Sequence, residues 1–206
     1  MKLLKNRKFA ILLTIVIAVL ATLFGVYKTS VRYTRSVEAM FYDGVYLSND
    51  GYTQPAISSH LENSANAALG LATLMGSYPE LADKAGEIIS ARRDLLAAGS
   101  ISDKSSANLK MNGFVIELLD AAMSANLTDR DKNAASQYYS TFIGASNAIA
   151  NSSYNVKVAD YMNGRSILMR IIGAVLPVKT PDFFNSAAFS DALTWPWNTL
   201  AAASGS

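Results

Sequence analysis

Residues 9–26 read FAILLTIVIAVLATLFGV, and this stretch decides the fold of the chain. It contains no charged or amide side chain, and 12 of its 18 residues are Phe, Ile, Leu or Val. A helix of that length spans about 27 Å, close to the hydrocarbon thickness of a bilayer. A surface helix of a globular protein is apolar on one face, whereas this one is apolar around its circumference. Residues 9–27 are therefore predicted to be a transmembrane helix in contact with membrane lipid.

A cleaved signal peptide is the alternative, because residues 1–8 have the basic character that precedes a signal sequence. The apolar stretch is longer than the about 7 to 15 residues of a signal, and the best cleavage pattern, Val19-Leu20-Ala21, lies inside it. These features favour an anchor. Four basic side chains precede the stretch and three follow it closely. This bias predicts a single-pass protein of the cell membrane, with a cytoplasmic N-terminus and the bundle outside.

The composition argues against several classes of function. The chain has 206 residues, enough for one anchor and one domain with its own core. Its 18 basic and 16 acidic residues provide no concentrated charge for nucleic acid. It lacks cysteine, has a single histidine and has no glycine-rich phosphate loop, so we predict no cofactor, no metal site and no enzymatic activity. Ser58-Ser59-His60 does not indicate a catalytic triad, because neighbours in sequence do not form one.

Beyond the anchor the chain has helical periodicity and no strand alternation. The first helix is expected to continue out of the membrane over residues 31–47, before a turn at Ser48-Asn49-Asp50-Gly51. The next helix is expected to start near Pro55 and to end near Met75. It carries a stripe of mostly small residues on which another helix can pack closely: Leu61, Ala65, Ala68 and Ala72. Two shorter helices are predicted over residues 81–98 and 103–125.

The last helix is predicted to begin after an N-cap, Thr128, and to exceed 40 residues, because only isolated glycines interrupt it before Pro177. Its two apolar stripes are offset, which indicates either a change of partners along the helix or two buried sides. The first stripe comprises Tyr138, Phe142, Ala145, Ile149 and Val156, and the second comprises Tyr154, Val158, Tyr161, Leu168, Ile172 and Val175. The predicted fold is all-α, with the transmembrane helix continuing into an elongated antiparallel bundle over residues 28–178.

Residues 179–206 are predicted to be an aromatic-rich tail with a disordered end. Five aromatic side chains stand out in it: Phe183, Phe184, Phe189, Trp195 and Trp197. They are candidate contacts with a protein partner or with the membrane interface. The alternative is that they cap one end of the bundle.

The segment SYNVKVADYMN, residues 153–163, resembles the signature of the LemA family, in which a long helix carries Tyr-Asn, Val and a second Tyr-Asn after an upstream Ile-Ala. The matching positions are Ile149, Ala150, Tyr154, Asn155, Val158, Tyr161 and Asn163. Met162 departs from the pattern by separating the second Tyr from its Asn, and Leu176-Pro177 stands where the family has Phe-Pro. The resemblance implies a membrane-anchored helical bundle with no established chemistry. The motif residues are expected to pack between helices, since Tyr154, Val158 and Tyr161 share one helix face.

Two functions are compatible with these features. The first, which we favour, is a non-enzymatic scaffold or adaptor that presents a helical surface at the membrane to a protein partner or a second copy. The second is a protein that binds a small ligand or a lipid in a cleft near the membrane, lined by the Tyr and Asn residues of the motif.

Overall fold

The structure, a computed structural model, describes residues 7–165 and 179–185. Its helices are α1 (Arg7–Asp43), α2 (Ile57–Met75), α3 (Ala82–Ala97), α4 (Ile101–Met123), α5 (Asp129–Ala150) and α6 (Tyr154–Gly164). A short 3₁₀ helix (Pro79–Leu81) precedes α3, and β1 (Val45–Leu47) pairs with β2 (Tyr52–Gln54). The predicted all-α fold, with a helical bundle and one long apolar N-terminal helix, is confirmed.

The chain divides into two compact units. The first comprises Met1–Ala39 and Val156–Pro181, and the second comprises Met40–Asn155 and Asp182–Ser206. The first unit contains the apolar stretch, and α1 is the one helix among the described residues that is long and apolar enough to cross a membrane. None of its most apolar 18-residue window is buried. The hydroxyl groups of Thr14 and Thr22 donate to the carbonyls four residues earlier, each over 2.9 Å, so these polar atoms are satisfied within the helix.

The second unit is a bundle in which α2 packs on α5, α3 packs on α4, and α2 also packs on α3. The predicted stripe on α2 explains the close packing, because Leu61, Ala65, Ala68 and Ala72 are all buried. Gly70 continues the pattern, since a Cβ atom built there would lie 2.5 Å from Cδ1 of Tyr138 in α5. Small side chains therefore let α2 and α5 approach each other closely, as the sequence predicts.

Side-chain caps fix the starts of α4 and α5. The Ser100 hydroxyl accepts from the Asp103 backbone N–H over 3.0 Å and starts α4. The predicted N-cap Thr128 is confirmed, because its hydroxyl accepts from the Asp131 backbone N–H over 3.2 Å. The Tyr78 and Thr128 hydroxyls also donate to Asp131 Oδ2, over 2.5 and 2.8 Å. These hydrogen bonds, with Tyr78 the stronger influence, hold the pKa of Asp131 below its ordinary value of 3.8.

The prediction of a helix over residues 31–47, with no strands in the chain, is wrong for the residues that follow Asp43. α1 ends at Asp43, because Gly44 adopts a φ of +91° and its N–H bonds the Met40 carbonyl over 3.0 Å. Val45–Leu47 then forms β1 and pairs antiparallel with β2, in the register Val45 with Gln54. The turn predicted at residues 48–51 is confirmed, and it joins the two strands with Gly51 at a φ of +66°.

The prediction of one last helix longer than 40 residues is also wrong. α5 ends at Ala150 and α6 begins at Tyr154, with Asn151-Ser152-Ser153 between them. Short polar side chains compete for backbone hydrogen bonds, and the Ser152 hydroxyl accepts from the Tyr154 N–H over 3.3 Å. The break explains the offset between the two apolar stripes. Two stripe positions are more exposed than a core stripe predicts: Tyr138, whose ring lies over Gly70 but is 41% exposed, and Val156, which is 58% exposed. Leu168, Ile172 and Val175 lie outside the described residues.

Candidate functional site

The first Tyr-Asn pair of the motif binds the backbone of residues 182–185 within the second unit. The Tyr154 hydroxyl donates to the Asp182 carbonyl over 2.8 Å. The Asn155 amide makes two hydrogen bonds to Phe184, in which Nδ2 donates to the carbonyl over 2.7 Å and Oδ1 accepts from the N–H over 2.9 Å. The amide of Asn155 thus pairs with the main chain of Phe184 as a neighbouring strand would.

Ser105 of α4 holds the next residue in the same manner. Its hydroxyl donates to the Asn185 carbonyl and accepts from the Asn185 N–H, each over 3.0 Å. Ser105 is 5% exposed, so its hydroxyl is fixed in a buried position. Each of these five hydrogen bonds from Ser105, Tyr154 and Asn155 ends on a main-chain atom of residues 182–185, which form no helix or strand, so the contacts depend on the backbone and not on side-chain identity.

Phe184 is the one large side chain of residues 182–185 that is buried in the second unit. Its ring is 1% exposed, and its centroid lies 5.5 Å from that of Phe41. Phe41 also meets Tyr154 edge to face, with centroids 5.7 Å apart. The adjacent Phe183 is 45% exposed and Asn185 is exposed as well. We call the pocket formed by Phe41, Ser105, Tyr154 and Asn155 the Phe184 site.

Gln54, the last residue of β2, fixes the position from which α6 starts. Its Nε2 donates to the Asn151 carbonyl over 3.3 Å, and its Oε1 accepts from the Ser153 N–H over 2.8 Å. These bonds satisfy backbone groups that the break between α5 and α6 leaves free. The hairpin therefore holds the helix junction that immediately precedes Tyr154 and Asn155.

The second half of the motif lies in the first unit. Thr34 Oγ1 lies 3.0 Å from the Tyr161 hydroxyl and donates to the Lys179 carbonyl over 3.1 Å. A threonine hydroxyl has one hydrogen, so Tyr161 is the donor to Thr34. The Tyr161 ring stacks on Tyr33 with a centroid distance of 5.4 Å, and Val158 is fully buried.

A surface cavity of about 270 Å³ lies beside Tyr161 in the first unit. It is lined by Thr29, Tyr33, Asp160, Tyr161, Gly164 and Arg165. Asn163 is exposed and is not among the lining residues. Of the motif residues, only Tyr161 borders this cavity.

The remaining predicted site residues are distributed as follows. Ile149 is buried and Ala150 is partly buried at the end of α5. Among the tail aromatics, Phe184 is buried and Phe183 is exposed, while Phe189, Trp195, Trp197 and the predicted disordered end lie outside the described residues. The part of the chain that the structure describes contains no group of three or more His, Cys, Asp or Glu residues placed to hold a metal ion.

Sequence reasoning missed Ser105, Gln54 and Phe41 as parts of the site. Ser105 and Gln54 make their key contacts 80 and about 97 to 99 positions away in the chain. Neither lies in a recognisable motif, so no local signal could have identified them. Searches for similar proteins give no family assignment, because no protein-family model, curated protein or solved structure matches this chain.

Proposed function

We propose that this protein is a membrane-anchored scaffold or adaptor of the LemA-like type, without enzymatic activity, that presents a helical surface to a protein partner or a second copy. The observation that carries the proposal is the apolar surface of α1. Leu12, Leu20 and Phe24 are 59%, 59% and 68% exposed, and they belong to an 18-residue window with no buried residue. Water disfavours such a surface and a bilayer favours it, which supports an anchor over residues 9–27.

A groove on the second unit supports a partner-binding role. Its volume is about 150 Å³, and it is lined by Tyr42, Ser58, Leu61, Glu62, Leu95, Leu96 and Lys104. Tyr42 and Leu96 are 48% and 50% exposed, whereas Leu61 and Leu95 form a buried floor. Apolar residues with a rim of opposite charges are typical of a surface that receives an apolar side chain from a partner.

The absence of enzymatic activity is part of the proposal, and the use of the motif side chains supports it. Tyr154, Asn155 and Tyr161 direct their polar atoms to backbone or to a buried threonine. Groups with these partners stabilise the packing and are occupied in the resting protein.

Membrane association is tested by extracting membranes at alkaline pH and measuring the intact mass of the protein. We expect the full-length mass in the membrane fraction, and we expect Val16→Lys to weaken insertion by about 3 kcal/mol. Tyr46→Lys, in the exposed hairpin strand, is the control and should stay in the membrane. A mass that lacks residues 1–21 would establish a signal peptide instead.

Partner binding is tested by photo-crosslinking in native membranes. A photoreactive amino acid at Leu96, in the groove, should give a reproducible adduct with a partner or a second copy. The same group at Ile89, which is 47% exposed on α3 and does not line the groove, is the control. The control should give no such adduct, and a monomeric chain without a reproducible adduct at Leu96 would count against a scaffold.

The cavity beside Tyr161 favours a second candidate function, in which the protein binds a small ligand or a lipid. Asp160 and Arg165 provide charge at the cavity, and Tyr33 and Tyr161 provide aromatic surface. Native mass spectrometry after release from the membrane would detect a retained ligand. Gly164→Trp, which introduces bulk at the cavity, should abolish retention if the ligand binds there.

A further inference from the structure

We propose that the Phe184 site is a peptide-binding site for an extended segment of a partner protein that carries an aromatic residue, and that residues 182–185 are its resident ligand. The inference deepens the proposed scaffold function by naming the chemistry of the partner, and it rests on that function for its biological role. The site itself is argued from contacts within the second unit.

The hydrogen bonds define what kind of ligand fits. Asn155 and Ser105 each bind both the N–H and the C=O of one residue, Phe184 and Asn185 respectively. A helical segment uses these groups for its own hydrogen bonds, so it cannot make the same contacts. The ligand must therefore be extended, as in the recognition of peptides by strand addition.

The aromatic pocket defines the selectivity. Phe184 is buried against Phe41, whose ring also meets that of Tyr154, whereas its neighbours Phe183 and Asn185 are exposed. One buried aromatic with exposed residues on both sides is the pattern of an anchor in a short peptide motif. Any extended segment with an aromatic at this position makes the same five hydrogen bonds, since all five end on the main chain.

The resident segment competes with a partner because it belongs to the same chain. A tethered ligand has an effective concentration in the millimolar range, so a free peptide binds the wild type weakly. Removing the buried ring of Phe184 from the resident segment should open the site. The chain contains a matched pair for this purpose, the buried Phe184 and the exposed Phe183.

The test uses the full-length chain in nanodiscs and a fluorescein-labelled peptide with the sequence of residues 179–187, KTPDFFNSA. Fluorescence anisotropy should show that the peptide binds Phe184→Ala at least about tenfold more tightly than wild type. A peptide with alanine at the position of Phe184 should lose about tenfold or more in affinity, whereas one with alanine at Phe183 should not. Adding Asn155→Leu to the Phe184→Ala chain should abolish binding.

Hydrogen exchange in the wild-type chain provides a measurement that does not depend on a variant. The N–H groups of Phe184 and Asn185 donate to Asn155 and Ser105, so excess peptide should accelerate exchange at both. The peptide with alanine at the position of Phe184 should leave the exchange of both N–H groups unchanged.

Three outcomes would overturn the proposal. The first is no binding to a folded Phe184→Ala chain together with no acceleration of exchange in the wild type. The second is binding whose affinity does not change when the peptide carries alanine at the position of Phe184, or when the chain carries Asn155→Leu. The third is pairing of Phe184→Ala with wild-type chains without binding of free peptide, which would identify a second copy as the occupant. Crosslinks at Leu96 are independent of all three, so a failure here leaves the scaffold proposal separately testable.

Discussion

Replacing Gly44 by alanine should destabilise the second unit far more than the same replacement at Gly51. Both glycines have a positive φ, +91° and +66°, and they flank the two ends of the hairpin. A Cβ atom at Gly44 would collide with the Gln54 carbonyl oxygen and lie 3.2 Å from Cγ2 of Thr53. A Cβ atom at Gly51 has no heavy atom within 4 Å. Comparing the two variants therefore separates the loss of stability caused by backbone strain from the loss caused by the collision.

The expected magnitudes follow from these two contributions. A left-handed backbone costs a residue with a Cβ atom about 1 to 2 kcal/mol, which applies to both variants. The collision at Gly44 involves a backbone carbonyl, which cannot rotate away, and overpacking of this kind costs about 1 to 3 kcal/mol. We therefore expect a loss of about 2 to 5 kcal/mol in the free energy of unfolding for Gly44→Ala and about 1 to 2 kcal/mol for Gly51→Ala.

Urea denaturation followed by far-ultraviolet circular dichroism measures this difference, with both variants in the same micelle. Hydrogen exchange adds a local readout, because Gln54 is displaced by the collision and its Oε1 holds the Ser153 N–H. Exchange at Ser153 should accelerate in Gly44→Ala and stay unchanged in Gly51→Ala. Equal unfolding free energies, or unchanged exchange at Ser153 in both variants, would refute the assigned collision and the link from hairpin to helix junction.

Three further substitutions have outcomes set by single contacts. The Asp131 pKa is lowered on folding, so this carboxylate stabilises the protein above its ordinary pKa, and its contribution disappears as the pH falls through the lower folded value. The unfolding free energies of wild type and Asp131→Asn, plotted against pH, should therefore converge in acid. A difference between them that stays constant with pH would contradict this. Tyr161→Phe should lower the unfolding free energy by about 1 kcal/mol in thermal melts, since one buried hydrogen bond is lost; no change would show that water replaces it. Asn155→Leu should cost about 1 to 3 kcal/mol because it leaves the N–H and C=O of Phe184 without partners, whereas the exposed Asn163→Leu should cost less than about 0.5 kcal/mol; equal losses would mean that Asn155 acts only by packing.

Local patterns predicted the elements that local interactions determine. The stripe from Leu61 to Ala72 and the cap at Thr128 are signals within one helix turn or a few turns, and both are present in the structure. The hairpin was missed because each strand has three residues, which is too short for alternation to be visible. The break at Asn151 was missed although the Asn-Ser-Ser sequence is a turn signal, because the flanking apolar residues favoured a continuous helix.

The candidate site was predictable in part. The motif pattern identified Tyr154 and Asn155, and tail composition identified Phe184, but nothing in the sequence joined them. Phe183 and Phe184 are chemically identical neighbours, and a segment of four residues is too short to show a periodicity that distinguishes the buried ring from the exposed one. That distinction depends on Ser105 and Phe41, which come from distant parts of the chain.

Recognition through the main chain has a consequence for which residues the segment tolerates. Hydrogen bonds to the Asp182, Phe184 and Asn185 backbones survive almost any change of side chain at positions 182, 183 and 185. Proline is the exception, because it has no N–H and would remove a donor at 184 or 185. The sequences of related chains are therefore free to differ widely at residues 182–185 while the segment binds in the same way. The two constraints that remain are an aromatic residue at position 184 and the exclusion of proline from positions 184 and 185.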